Sequence, residues 1–294
     1  MSGASVPRRA LREATPPLRG PALFTGVGSA IVFHPAERGS GFAFRFGGGG
    51  DRIPALVAYV IENPDLPHVP RGFPVRNTTL GVPGGACIGT VEHALSALRG
   101  LGIADCTIEI EGPEVPIFDG SALPFVDALV PLLVDADAPP TPILLREPVS
   151  VCDGDASITA VPIESGSVYS YLLDYGPGSP LSAQTASWTG DSEEYRTLIA
   201  PARTFSLERE AAVANALGLF AGFTPRDLLV VGNEGQPIDN AWRFTDEAAR
   251  HKLLDLIGDV ALLGRPLRAD IRAERSGHAL AHRFCRAVLD AAGE

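Results

Sequence analysis

Val134-Asp-Ala-Asp-Ala-Pro-Pro-Thr-Pro142 divides the chain. Proline fixes φ near −65° and has no amide hydrogen, so this run excludes both a helix interior and a central strand. It predicts a boundary near 139–142, with an N-terminal domain at 1–138 and a C-terminal domain at 143–294. A length of 294 residues suits two domains at roughly 100–200 residues each. No repeat is visible by identity between the halves.

Working outward, composition narrows the class. Hydrophobic residues make up 45% and charged residues 20%, enough for each half to bury a core. The formal charge of −11 argues against a nucleic-acid binder, which needs a basic face to replace counterions. No apolar run approaches the ~18 residues of a membrane span. The first twenty residues carry charges without an apolar core, so no secretory signal is expected and a cytoplasmic protein is. Cys87, Cys106, Cys152 and Cys285 form no CxxC pair, which predicts reduced, mostly buried thiols rather than disulfides or a thiolate zinc knuckle. Against 23 arginines the chain has one lysine, Lys252.

Before the break, strands are expected at Ala30–Phe33, Gly41–Phe46, Cys106–Ile110 and, more weakly, Ala86–Gly89, with a loop at Gly47–Gly50. A helix is expected over Thr90–Gly102, its apolar positions at 91, 94, 95, 98 and 101, with Thr90 as N-cap. A second helix is expected at Leu123–Leu133, entered through Asp119-Gly-Ser121. After the break, strands are expected at Ser157–Val161, Val168–Asp174 and Asp227–Val231, and helices at Leu207–Leu219 and Gly277–Asp290. Phe244–Gly264 is the strongest helical pattern, with Thr245 as cap, Asp246 and Glu247 at its positive end, and an apolar stripe at 249, 253, 256, 257, 260 and 263. Strict βαβ alternation is missing, so the class is α+β.

On that helix His251 and Asp255 stand four apart, one above the other and off the apolar stripe. Such a pair can bind Zn²⁺ but does not make a site alone, and a surface pair or helix hydrogen bond is the commoner meaning of the spacing. Glu92-His93 on the other strong helix offers a third ligand and a general base, since neighbouring helix positions diverge by about 100°. A plain polar histidine near a helix start also fits. Asp259, two turns past His251, lies roughly 12 Å away and cannot share its metal. His34, His68 and His282 have no partner in spacing.

TVEH (90–93) followed by ALSALRGLGI, GPEVPIFDGSALPFV (112–126), ARTF (202–205), HKLLDLIGD (251–259) and SGHAL (276–280) resemble, in order, the UDP-3-O-acyl-N-acetylglucosamine deacetylase family, the zinc amidases of lipid A biosynthesis. The resemblance runs from about Gly20 to Leu289. It implies two similar α+β domains, each a sheet layered with helices, with one zinc (Fe²⁺ fits the same ligands) at their junction. It implies His93, His251 and Asp255 as metal ligands, Glu92 as general base and His278 as general acid or cation beside the tetrahedral intermediate. It further implies Thr204 polarising the acetamide carbonyl, Lys252 contacting substrate in the active centre, and Arg275 meeting the diphosphate. The Phe205–Phe223 segment, Phe205 included, would line an acyl-chain passage; its Leu207, Leu217, Leu219 and Phe220 suit that and suit plain core packing equally. A monomer acting on a small UDP-acyl-sugar is implied, with no nucleic acid and no membrane span.

Four places depart from the family pattern. Phe24 in GPALFTG (20–26) replaces a histidine, Ala156 in CDGDAS (152–157) replaces a polar residue, Asn77 in NTTL replaces a cysteine, and 224–228 reads TPRDL. None touches a metal ligand or the base. They leave open the same chemistry on another N-acetylated sugar, or a metal-binding paralogue without turnover, and they leave Lys252 and Arg275 as the main diphosphate cations.

Overall fold

The computed structural model describes residues 8–294 except 48, 50–51, 63, 65–68, 71–72, 74, 83, 137–139 and 221. His68, part of the Gly47–Gly50 loop and Asp137–Pro139 of the proline break lie outside the described residues.

The first half contributes strands β1 (Arg9–Leu11), β2 (Leu18–Pro21), β3 (Gly28–Pro35), β4 (Phe42–Phe46), β5 (Arg52–Pro54), β6 (Leu80–Gly81) and β7 (Cys87–Ile88). Helix α1 (Glu92–Gly100), β8 (Cys106–Glu111), α2 (Leu123–Leu129) and β9 (Leu133–Asp135) complete it. Its main sheet runs β2-β3-β8-β4-β5, parallel only between β4 and β8. The alternation in β8 explains its two faces: Cys106, Ile108 and Ile110 are buried, while Glu109 faces outward to Arg45. β1 pairs with β9, so both ends of this half meet.

The second half contributes β10 (Val149–Asp153), β11 (Ala156–Pro162), β12 (Val168–Leu173), β13 (Gln184–Trp188) and the short α3 (Ser192–Glu194), continued by a wide turn through Ile199. There follow β14 (Phe205–Leu207), α4 (Glu208–Ala216), β15 (Leu229–Val231), α5 (Glu247–Val260), β16 (Ala269–Glu274) and α6 (His278–Ala292). Its main sheet runs β10-β11-β16-β12-β13, parallel only between β12 and β16. With strands counted from the start of each sheet's own segment, both sheets therefore read 1-2-5-3-4 with identical directions. The halves repeat in topology where no repeat shows in sequence.

A parallel pair needs a crossover, usually helical. α1 lies on the crossover from β4 to β8, and α5 on the one from β12 to β16. α5 packs on β12 and β13, α6 on β10 and β11, and α1 directly on α5. In the first half, Phe125 of α2 meets Phe33 of β3 edge-on at 5.9 Å. The result is sheet, helices, helices, sheet around one continuous core, an α+β architecture. α1 lies deepest: every residue but Arg99 is buried.

Several expected boundaries move. α1 starts at Glu92 with Val91 as N-cap; Thr90 does not cap it, because its φ is +59° and its hydroxyl donates to Glu114. α5 starts at Glu247 rather than Phe244, and neither Thr245 nor Asp246 makes a side-chain cap bond. Pro131, lacking an N–H, ends α2 in one 3₁₀ turn, and Leu133 already belongs to β9. Leu207 ends a strand, and α4 is shorter than expected. Only Cys106 and Cys285 are buried; Cys152 is exposed.

Candidate metal centre

The α1–α5 contact brings the expected ligands together. The approach is close because Gly258 has no Cβ; one there would stand 2.1 Å from the Glu92 carbonyl oxygen. His93 Nε2 lies 3.5 Å and His251 Nε2 3.3 Å from Asp255 Oδ1, and all three residues are buried. His251 and Asp255, off the helix's apolar stripe, thus face α1 rather than solvent.

The donor set fits a divalent cation. Ligand atoms ~2.0–2.1 Å from a tetrahedral centre lie roughly 3.4 Å apart, close to both observed separations. Asp255 Oδ1 is buried and has no hydrogen-bond partner among the described residues, which an uncompensated carboxylate oxygen does not tolerate. Lys252 Nζ holds the other oxygen, Oδ2, at 2.6 Å. His251 Nδ1 faces the Ala202 carbonyl at 3.2 Å; a carbonyl only accepts, so Nδ1 carries the hydrogen and Nε2 presents a lone pair. Burial pushes the His251 imidazole down to about 3, with Asp255 opposing, and so keeps it neutral. The Asp255 carboxyl is pressed upward by burial, but the Lys252 ammonium at 2.6 Å, with the other charges around it, outweighs this and holds it well below the usual range.

Further ionisable groups surround these three side chains. Glu92 is buried, its Oε2 accepting the Thr78 amide at 3.0 Å, and burial raises its carboxyl above the ordinary value. His278, first residue of α6, presents Nδ1 to Asp259 Oδ2 at 2.8 Å and Nε2 toward Asp255 Oδ2 at 4.0 Å. Burial disfavours its charge, yet Asp259 outweighs burial and lifts the imidazole to about 9. Asp259 thus stands outside the ligand set, as expected, with a definite partner. Burial likewise opposes the Lys252 charge, and Asp255, Tyr171 and Tyr175 raise its pKa above the ordinary value despite this.

Ala202–Phe205 is fixed from three sides. Ala202 meets His251; the Arg203 amide and guanidinium bind Glu247 at 2.8–3.2 Å; the Thr204 amide donates to the Gly120 carbonyl at 2.7 Å. Gly120, at φ +85°, has no room for a side chain beside Thr204. Glu247, expected as a dipole-facing helix acid, is instead fully buried against Arg203. Thr204, Phe205, Lys252, Arg275 and His278 line one cleft of about 1020 Å³ with the metal ligands. Phe24 lines it too, its ring 5.5 Å from that of Phe220, and so does Ala156. Arg275, at φ +50°, sits on the rim and pairs with Asp174 and Asp155. Arg76 and Arg283 also line the cleft, so Lys252 and Arg275 are not its only cations.

The sequence reading missed Asp259 as the partner of His278, and Thr78, His282 and Glu114. For Asp259 the signal was present, four residues past Asp255 on the same helical face. The others sit in loops or on another helix and carry no local signature.

A buried His₂Asp group beside a carboxylate and an imidazole is the kind of constellation that metal-dependent hydrolases use. The sequence model of the UDP-3-O-acyl N-acetylglycosamine deacetylase family matches residues 10–290. The chain is 34% identical over 275 residues to the UDP-3-O-acyl-N-acetylglucosamine deacetylase of Myxococcus xanthus, covering 92% of this chain and 83% of that one. It is 35% identical over 300 residues to the enzyme of the same name from Thermosynechococcus vestitus, covering 98% of each. The chain belongs to the UDP-3-O-acyl-N-acetylglucosamine deacetylase family.

Proposed function

We propose that this protein hydrolyses the acetamide of UDP-3-O-acyl-N-acetylglucosamine, releasing acetate in lipid A biosynthesis. It is a hydrolase. The observation that carries the metal chemistry is the buried Asp255 Oδ1, without a hydrogen-bond partner and faced by two imidazole Nε2 atoms. His93, His251 and Asp255 would hold one Zn²⁺, which supplies Lewis acidity toward the amide carbonyl and acidifies water.

The chain's own groups do the rest. Glu92, its carboxyl raised by burial, takes the proton of the attacking water. His278, held protonated by Asp259, supplies charge beside the oxyanion and a proton to the departing amine. The Thr204 hydroxyl donates to the acetamide oxygen, and Phe205 and the segment after it receive the acyl chain. Lys252 and Arg275 meet the diphosphate; Arg275 exchanges Asp174 for it. Both ligand-bearing helices come from one chain, which suits a monomer. Among the described residues no helix is long and apolar enough to cross a membrane. The reading places the protein in the cytoplasm, with its two domains meeting near 139–142.

The test is incubation of zinc-loaded protein with the UDP substrate, followed by mass spectrometry for loss of one acetyl group. Metal analysis should find about one equivalent per chain, and His251→Ala and Asp255→Ala should lose it. Variants that retain metal like the parent refute the ligand set; an unchanged substrate mass refutes the reaction.

A further inference from the structure

Behind His278 and Asp259 lie further buried hydrogen bonds, through Thr78 and His282, that the reaction above leaves unused. Asp259 Oδ1 receives the Thr78 hydroxyl at 2.5 Å, and Thr78 Oγ1 lies 2.9 Å from His282 Nε2. Thr78, Asp259 and His282 are all buried. Burial would raise the Asp259 carboxyl, but His278 and His282 hold it far below the usual range, so it is ionised and only accepts.

That fixes every direction. Thr78 has one hydroxyl hydrogen, and Asp259 needs it. Oγ1 must then accept from His282, so His282 Nε2 carries a hydrogen. Asp259 Oδ2 in turn accepts from His278 Nδ1, which aims His278 Nε2 at the metal centre. The same Thr78 donates its amide to Glu92 Oε2, so one residue holds both the general base and the carboxylate behind the acid.

We infer that Thr78 and His282 are positioning residues of the active centre: His282 orients the Thr78 hydroxyl, and Thr78 locks Asp259, and through it His278, against Glu92. Neither touches a metal ligand. The inference rests on the proposed deacetylation, and its tests separate the two.

In metal-free protein labelled with ¹⁵N-histidine, His282 Nε2 should be protonated; a bare Nε2 overturns the inference whatever the protein's activity. In turnover, Thr78→Val keeps shape and the backbone amide but removes the hydroxyl. It should lower kcat about tenfold or more, the worth of a hydrogen bond to a charged group, with KM within about twofold and metal content unchanged. Thr78→Ser should recover most of the loss. His282→Gln, which keeps a donor, should exceed His282→Phe, which keeps only bulk. Because His282 acts through Thr78, the double variant Thr78→Val/His282→Phe should be no slower than Thr78→Val alone. Additive losses, or a Thr78→Val enzyme as fast as the parent, overturn the inference; the Thr78 pair decides it even if His282→Phe does not fold. An inactive parent defeats the proposed function instead.

Discussion

Gly258→Ala is expected to damage the centre without touching a functional side chain. An ordinary contact needs at least 3.4 Å, and the added Cβ would have 2.1 Å to the Glu92 carbonyl oxygen, a shortfall of about 1.3 Å. The next nearest atoms, Glu92 C and Cα at 2.8 and 3.0 Å, are also backbone, so no rotamer change relieves the clash. α1 and α5 must separate or slide. His93 rides on one helix and His251 and Asp255 on the other, so the displacement passes directly into the ligand set.

Overpacking of this kind costs about 1–3 kcal/mol, a fall in melting temperature of roughly 2–5 °C for a chain of this length. Active sites tolerate only about 0.5 Å, and a 1 Å misplacement costs on the order of 10²-fold. Melting temperature, bound metal and turnover should therefore all fall, turnover by about 10²-fold. Gly28→Ala is the control: its Cβ meets nothing within 4 Å, and all three values should stay near the parent's. If Gly258→Ala matches the parent as well, the helix crossing does not set the centre's geometry.

Three further outcomes are expected. Glu92→Gln should keep its metal and substrate affinity but lose turnover by ~10²–10⁴-fold; loss of metal instead would make Glu92 a ligand. Glu247→Ala should destabilise the fold by about 3–5 kcal/mol in denaturant titration, because it strands the buried Arg203 guanidinium; a change under about 1 kcal/mol would refute that account. Arg275→Ala should raise KM much more than it lowers kcat, and comparable kcat/KM on the acylated sugar with and without UDP would instead favour a different N-acetylated sugar as substrate.

Much of this was legible because helices advertise themselves. The 3.6-residue stripes of α1 and α5 show in sequence, and so does the i, i+4 placement of His251 and Asp255. The weak strands were not: β13 reads Gln-Thr-Ala-Ser-Trp and β16 Ala-Asp-Ile-Arg-Ala-Glu, segments that bury only Ala186 and Trp188 in the one and alanines, Asp270 and Ile271 in the other. They are strands because neighbours supply the ladder, which is non-local information. Glu247 shows the same limit for charge. An acid in a first helical turn suits the dipole, and only the fold brings Arg203 to it. Thr90 looks like a cap until Glu114, twenty-four residues on, takes its hydroxyl.

The topological repeat explains why the centre stands where it does. Each half needs a crossover between its parallel strands, and each supplies it with one helix, α1 or α5. Both helices lie between the two sheets, so stacking the repeats brings equivalent elements face to face. Neither helix alone carries three ligands; the centre exists only at their crossing. Its rigidity is then that of two buried helices in contact rather than of a loop, which suits a site whose groups must keep a fixed relation to one another. The repeats also differ. Between α3 and α5 the second half carries β14, α4 and β15, and the Phe220 ring that follows α4 stands 5.5 Å from Phe24, a residue of the cleft wall in the first half. Equivalent helices build the crossing, and this added stretch meets the other half beside the cleft in front of it.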